Sequence, residues 1–165
     1  NGQNPDFDEP KELGLEGVAE SKIRQALDLI KGSELEGSVI LVEDSGIFLD
    51  AFPEWPGARS SDVEKEIGLE GIIDRVNESG NSGAEYRAVA ILSNGNQEWK
   101  SQGICRGKIS DYPRGSNGFG YDPIFIPEEG GGGTFGELGK EIKNQISHRK
   151  KVMQGLSNLL KSPSR

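Results

Sequence analysis

Val39-Ile40-Leu41-Val42-Glu43-Asp44-Ser45-Gly46-Ile47-Phe48-Leu49-Asp50 is the stretch whose reading decides the fold. Four consecutive apolar residues, Val39 to Val42, read as a strand buried on both faces, and they end in two carboxylates, a hydroxyl and a glycine. In an open α/β sheet, ligands bind beyond the carboxyl ends of the strands, so Glu43 and Asp44 would stand where a substrate or a metal ion can reach them. Asp44-Ser45-Gly46 is equally the composition of a polar turn between two strands, and taken alone that is the stronger reading.

A chain of 165 residues is read as one domain and can bury roughly 68–70% of the surface its unfolded form exposes. With 27 acidic and 19 basic side chains the net charge is −8. That balance argues against general nucleic-acid binding but leaves room for a small basic pocket. One cysteine, Cys105, and one histidine, His148, exclude a disulfide framework and a Cys/His zinc cluster and fit a reducing, cytoplasmic setting. The apolar runs are too short to span a membrane, and no leader is legible.

Around that stretch, Asn1 to Glu9 reads as an aperiodic lead-in. Leu15, Val18, Ala19, Ile23, Ala26, Leu27 and Ile30 fall at helical spacing, stopped by Gly32. Lys22 lies within that stripe, and periodicity alone reads it as snorkelling from the core-facing side. Phe52-Pro53-Glu54-Trp55-Pro56-Gly57 is expected to be an irregular loop with Trp55 either at a binding wall or capping the core. Ser61 with Glu64 reads as a capping box opening a helix through Val63, Ile67, Ile72, Ile73 and Val76, interrupted near Gly68. Ala84 to Ser93 and Gln97 to Ile109 are two strands joined by the Asn94-Gly95 hairpin signal. The fold is therefore expected to be mixed α/β.

Arg114 to Ile126 combines three glycines with Phe119, Tyr121 and Asp122 and leads into a short strand ending at Pro127. Gly130 to Gly133 has no phosphate-loop lysine behind it. Thr134 with Glu137 predicts a second capped helix. Lys143 to Lys151 is a basic cluster in an acidic protein, running into a last helix with Val152, Met153, Leu156, Leu159 and Leu160 on one face. It reads either as a solvated face or as an anion site at a helix start.

Glu43-Asp44-Ser45-Gly46, Trp55-Pro56-Gly57, Gly118-Phe119-Gly120-Tyr121-Asp122-Pro123-Ile124-Phe125, and Lys143 with Ser147-His148-Arg149, in that order, resemble the inosine/xanthosine triphosphate pyrophosphatase family, also called Ham1-like. The resemblance runs from about Glu9 to the C-terminus, and Ile67-Gly68-Leu69-Glu70-Gly71 looks most like archaeal members. It implies a long, bent, mixed sheet flanked by helices in two lobes around a nucleotide cleft. It also implies hydrolysis of ITP, dITP or XTP to the monophosphate and pyrophosphate with Mg²⁺, by a cytoplasmic homodimer that binds neither nucleic acid nor membrane.

Carried over residue by residue, the resemblance implies that Asp44 binds metal or activates water, with Glu9 as a second metal-site acid and Glu43 the alternative for that place. Lys22, against its periodicity reading, would contact the triphosphate. Ser45, Gly120, Tyr121 and Asp122 would line the substrate site, Phe119 would stack on the base, and Lys143, His148 and Arg149 would contact the base's oxo edge or the phosphates. Two other readings share these residues: a nucleotide-binding module without turnover, and a Mg²⁺ phosphomonoesterase built on Asp44. The family's opening strand and its Ser/Thr-x-Asn-x-x-Lys turn have no counterpart here, so the expectation is a chain without that first strand and helix, poorly active alone.

Overall fold

The computed structural model describes residues 6–161. Five strands, β1 (Ile40–Leu49), β2 (Phe52–Pro56), β3 (Gly83–Ser93), β4 (Glu98–Ile109) and β5 (Phe125–Pro127), form one sheet in the order β2-β1-β3-β4-β5. Four helices flank it: α1 (Gly14–Ile30), α2 (Ser60–Ser79), α3 (Lys140–Ile146) and α4 (His148–Lys161). The α/β class is as expected. Where a mixed sheet was expected, however, all four pairings are antiparallel. For two of them the connections explain this: only Asp50 and Ala51 join β1 to β2 and only Asn94 to Gln97 join β3 to β4, too few residues for a parallel crossover.

The two faces of β3 hold different helices, as period-2 side-chain alternation requires. Val89 and Ile91 meet Leu15, Ala19 and Ile23 of α1, while Ala88 and Ala90 meet Val152 and Leu156 of α4. Close seating of α4 depends on Gly103, because a Cβ there would lie 2.2 Å from the His148 carbonyl oxygen and 2.4 Å from the Val152 nitrogen. On that same face α2 buries Ile72, Ile73 and Val76 with Ile47, Tyr86, Phe125 and Phe135 in the largest apolar cluster.

Several local expectations are corrected. Strand β1 does not stop at Val42 but runs through Glu43-Asp44-Ser45-Gly46, paired residue by residue with Ala90, Val89, Ala88 and Arg87 of β3. Gly46 serves close approach rather than a turn, since a Cβ there would lie 2.1 Å from the Gly57 carbonyl oxygen. The first half of the strand is not buried on both faces, because Leu41 is exposed, as is Val39 just before it. Phe52–Pro56 is a strand, not a loop, and its position at the sheet edge is where proline is tolerated. Trp55 sits partly buried against the main core, edge-on to Phe52.

Helix α2 starts at Ser60 without a side-chain cap, and Gly68 (φ 68°) kinks it where an interruption was expected. Thr134 and Glu137 do exchange the reciprocal bonds of a capping box, but these close a turn, and the next helix begins only at Lys140. On α4, Val152 and Leu156 are buried, whereas Met153, Leu159 and Leu160 stay exposed. The lead-in is irregular from Asp6 to Pro10, and residues 1–5 lie outside the described residues. No helix among the described residues is long and apolar enough to cross a membrane.

Candidate active site

Strand β1 carries the site on both of its faces. Val42 packs into the α1 cluster, so Asp44, two residues on, faces α1 as well. There Lys22 Nζ lies 2.8 Å from Asp44 Oδ1 and 2.6 Å from Glu9 Oε1. Glu9 is held in place by its neighbour: the Gln25 side-chain amide accepts from the Asp8 nitrogen and donates to the Asp8 oxygen, fastening the lead-in to α1. Glu43 and Ser45 point to the opposite face and meet Arg149 at the start of α4.

Lys22 and Asp44 side chains are each only 15% exposed, and they respond to one another in opposite senses. Burial works against the Lys22 charge, but hydrogen bonds to Asp44 and Glu9 outweigh it and raise the ammonium pKa. Asp44 is raised too, by burial first, because the single ammonium is shared with Glu9 while Glu9 and Glu43 add negative charge nearby. Two carboxylates thus converge on one cation at the edge of the sheet. Among the described residues no group of three or more His, Cys, Asp or Glu is poised to hold a metal ion.

The second half of the site is a cavity of about 430 Å³ between the 117–122 loop, α3 and α4. Asp122, buried to 2% exposure, organises its wall: its carboxylate accepts from the Phe119 nitrogen at 2.8 Å and from the Lys143 ammonium. Gly118, at φ 79°, is obligatory there, since a Cβ would fall 1.9 Å from Asp122 Oδ2. The loop so held presents Phe119 to solvent, 64% exposed. Lys143 Nζ lies 4.8 Å and Arg149 Cζ 5.3 Å from its ring centroid. A flat ring flanked by cations is a surface on which an oxo-purine can stack while its oxygen meets positive charge.

His148 is buried and stacked on Tyr86, with ring centroids 4.6 Å apart and planes within 8°. Burial, then the Arg149 and Lys143 charges, lowers its pKa to about 3, so the imidazole is neutral at physiological pH. Its Nδ1 is buried and has no hydrogen-bond partner among the described residues. Ser147 lies between α3 and α4 and its Oγ accepts from the Lys150 nitrogen at 3.3 Å, capping α4.

A second cavity, of about 310 Å³, joins the halves: Ser45, Tyr86, Phe119 and Arg149 line it and the 430 Å³ pocket alike, and Lys22, Asp44 and Gly120 line its far side. A more open groove of about 810 Å³ continues past Lys22, Glu9 and Glu43. All the residues expected at the site therefore lie along one cleft. Tyr121 also lines it, with its ring buried and its hydroxyl donating to the Ser60 carbonyl at 2.8 Å, so that group is already engaged. Sequence reasoning missed Tyr86, read only as a strand residue, and the partners Asn117, Lys140 and Asn144 that line the pocket. Strand alternation could have placed Tyr86 on the same face as Ala88 and Ala90, but its place beside Ile47 comes from the register.

A model of the Ham1 family matches residues 2–159. The dITP/XTP pyrophosphatase of Methanopyrus kandleri is 38% identical over 158 residues, covering 95% of this chain and 80% of that protein. The inosine triphosphate pyrophosphatase of Candida glabrata is 38% identical over 149 residues, covering 89% of this chain and 74% of that protein. Among solved structures, the Staphylococcus aureus Ham1 protein superposes with a TM-score of 0.82 at 27% identity, covering 95% of this chain and 81% of that one.

Proposed function

Since this chain belongs to the Ham1 family, we propose that it hydrolyses non-standard purine nucleoside triphosphates, dITP, XTP and ITP, to the monophosphate and pyrophosphate. The observation that carries the proposal is the continuous cleft, in which a carboxylate–lysine cluster suited to phosphates meets a ring-and-cation pocket suited to an oxo-purine.

The base lies on Phe119 with Lys143 and the neutral His148 at its edge, while Arg149, between Phe119 and Glu43, is left for a phosphate oxygen. A 6-oxo group accepts from such donors, whereas the 6-amino group of adenine leaves them unpaired, an asymmetry worth about 10²-fold or more in kcat/KM. Lys22 neutralises the phosphates. Asp44 orients a water for in-line attack at the α-phosphorus and accepts its proton as the bond to the β-phosphate oxygen breaks. Asp44 and Glu9 are hard oxygen donors close enough to share the Lys22 ammonium, and Mg²⁺ is ordinarily bound through one or two such carboxylates together with substrate phosphates. A Mg²⁺ held there would supply charge neutralisation for the departing pyrophosphate. The proposal includes a cytoplasmic homodimer. A single buried Cys105, whose thiol burial pushes up to about 11, is compatible with a reducing compartment.

The test is pyrophosphate release from ITP, XTP, dITP and ATP with and without Mg²⁺, with sedimentation for the oligomeric state. The expected result is Mg²⁺-dependent pyrophosphate from the three oxo-purine substrates and about 10²-fold lower kcat/KM for ATP. Orthophosphate as the first product, or equal kcat/KM for ITP and ATP, would overturn it.

A further inference from the structure

We infer that Glu43 is a positioning residue that parks Arg149 across the cleft until a phosphate oxygen of the nucleotide displaces it. The inference rests on the reading of the cleft as a nucleotide site. Arg149 reaches Glu43 Oε1 through Nε at 3.3 Å and Ser45 Oγ through Nη2 at 3.5 Å. Both distances are at the long end, and the contact with the carboxylate is single rather than a bidentate fork.

The guanidinium is 47% exposed, so an incoming anion can reach the donors that Glu43 leaves free. Its Cζ also lies 5.3 Å from the Phe119 ring centroid, a contact that does not depend on Glu43. Glu43, at 20% exposure, has no other ion-pair partner among the described residues. Taking Arg149 away therefore leaves that carboxylate unpaired. Every nucleotide that recruits Arg149 competes with Glu43, and the competition lowers apparent affinity by the fraction of the time the arginine is parked.

The test is a double-mutant cycle on Glu43→Gln and Arg149→Met, read as the dissociation constant of a non-hydrolysable α,β-methylene ITP analogue in EDTA, with inosine as a phosphate-free control. Partly exposed ion pairs are worth up to about 1 kcal/mol, so E43Q should tighten analogue binding about two- to fivefold. Inosine binding should not change, and the gain should vanish in the R149M background. The same gain with and without Arg149 would mean that Glu43 acts only through its general field, and weaker binding by E43Q would mean that it supports the ligand directly; either result overturns the inference. Wild-type pyrophosphate release from ITP keeps the two readings apart: turnover without coupling in the cycle refutes the parking role alone.

Discussion

Asp44→Asn should separate activity from stability. The side chain keeps its shape, and the amide oxygen still accepts from Lys22, which retains Glu9 at 2.6 Å. The lost charge is one that burial disfavours: the folded-state pKa of Asp44 is raised above 3.8, chiefly by desolvation and against the help of Lys22. An ionised Asp44 therefore costs folding free energy at neutral pH. Neutralising it should leave the unfolding free energy at pH 7 unchanged or higher by up to about 1 kcal/mol. The sign fixes the pH dependence as well. The folded state binds more protons at this site than the unfolded one between 3.8 and the raised value, so wild type loses stability relative to D44N as pH rises through that window, and the two converge below it. Activity should move the other way, falling about 10²- to 10³-fold in pyrophosphate release from ITP, because the group that orients water and holds cation charge is gone. Guanidinium unfolding at pH 7 and pH 4, together with the release assay, tests both halves. Destabilisation by more than about 2 kcal/mol at pH 7 would show that the Lys22–Asp44 pair is net stabilising, and activity within tenfold of wild type would remove Asp44 from the chemistry.

His148 should stay neutral across the physiological range: its Hε1 chemical shift should be flat from pH 8 to pH 5, and a midpoint near the ordinary 6.5 would refute the burial argument. Because the folded pKa lies near 3 and the unfolded one near 6.5, this residue contributes stability that is lost as pH falls from 6.5 toward 3. Gly103→Ala drives a methyl against the His148 oxygen and the Val152 nitrogen, backbone atoms that yield only if α4 moves. It should cost about 1–3 kcal/mol in unfolding free energy and raise KM for ITP, since α4 carries His148 and Arg149; wild-type melting and KM would show that the helix does not seat so closely.

The parts of this fold legible in the sequence are those set by local chemistry. The hairpin at Asn94-Gly95 is one, where the Asn94 side chain accepts from the Asn96 and Gln97 nitrogens. The α1 stripe is another, down to its buried Leu15, Val18, Ala19, Ile23 and Ala26. The misreadings occur where tertiary contacts override local preference. Asp44-Ser45-Gly46 has turn composition, yet β3 pairs it as strand and Gly57 requires the missing Cβ. Phe52–Pro56 looks too rich in proline for a sheet, but an edge position asks less of its N–H groups. Thr134 and Glu137 form their reciprocal bonds without a helix, because Thr134 Oγ1 also donates to the Arg114 carbonyl and the segment serves the glycine loop. At the site, Lys22 kept its place in the helical stripe, and only the folded lead-in that brings Glu9 above it discloses what the ammonium faces.

Because neighbouring residues of β1 answer to opposite sides of the sheet, the strand tolerates point changes and forbids length changes. Adding or deleting one residue between Val42 and Asp44 would turn the rest of the segment over, delivering Asp44 to the C-terminal helix and Glu43 or Ser45 to Lys22, so that both half-sites fail together. Substitutions at 43 and 45, by contrast, are felt by the C-terminal helix, and those at 44 by the first helix. The two faces can then be altered separately, provided the residue count of the strand is kept.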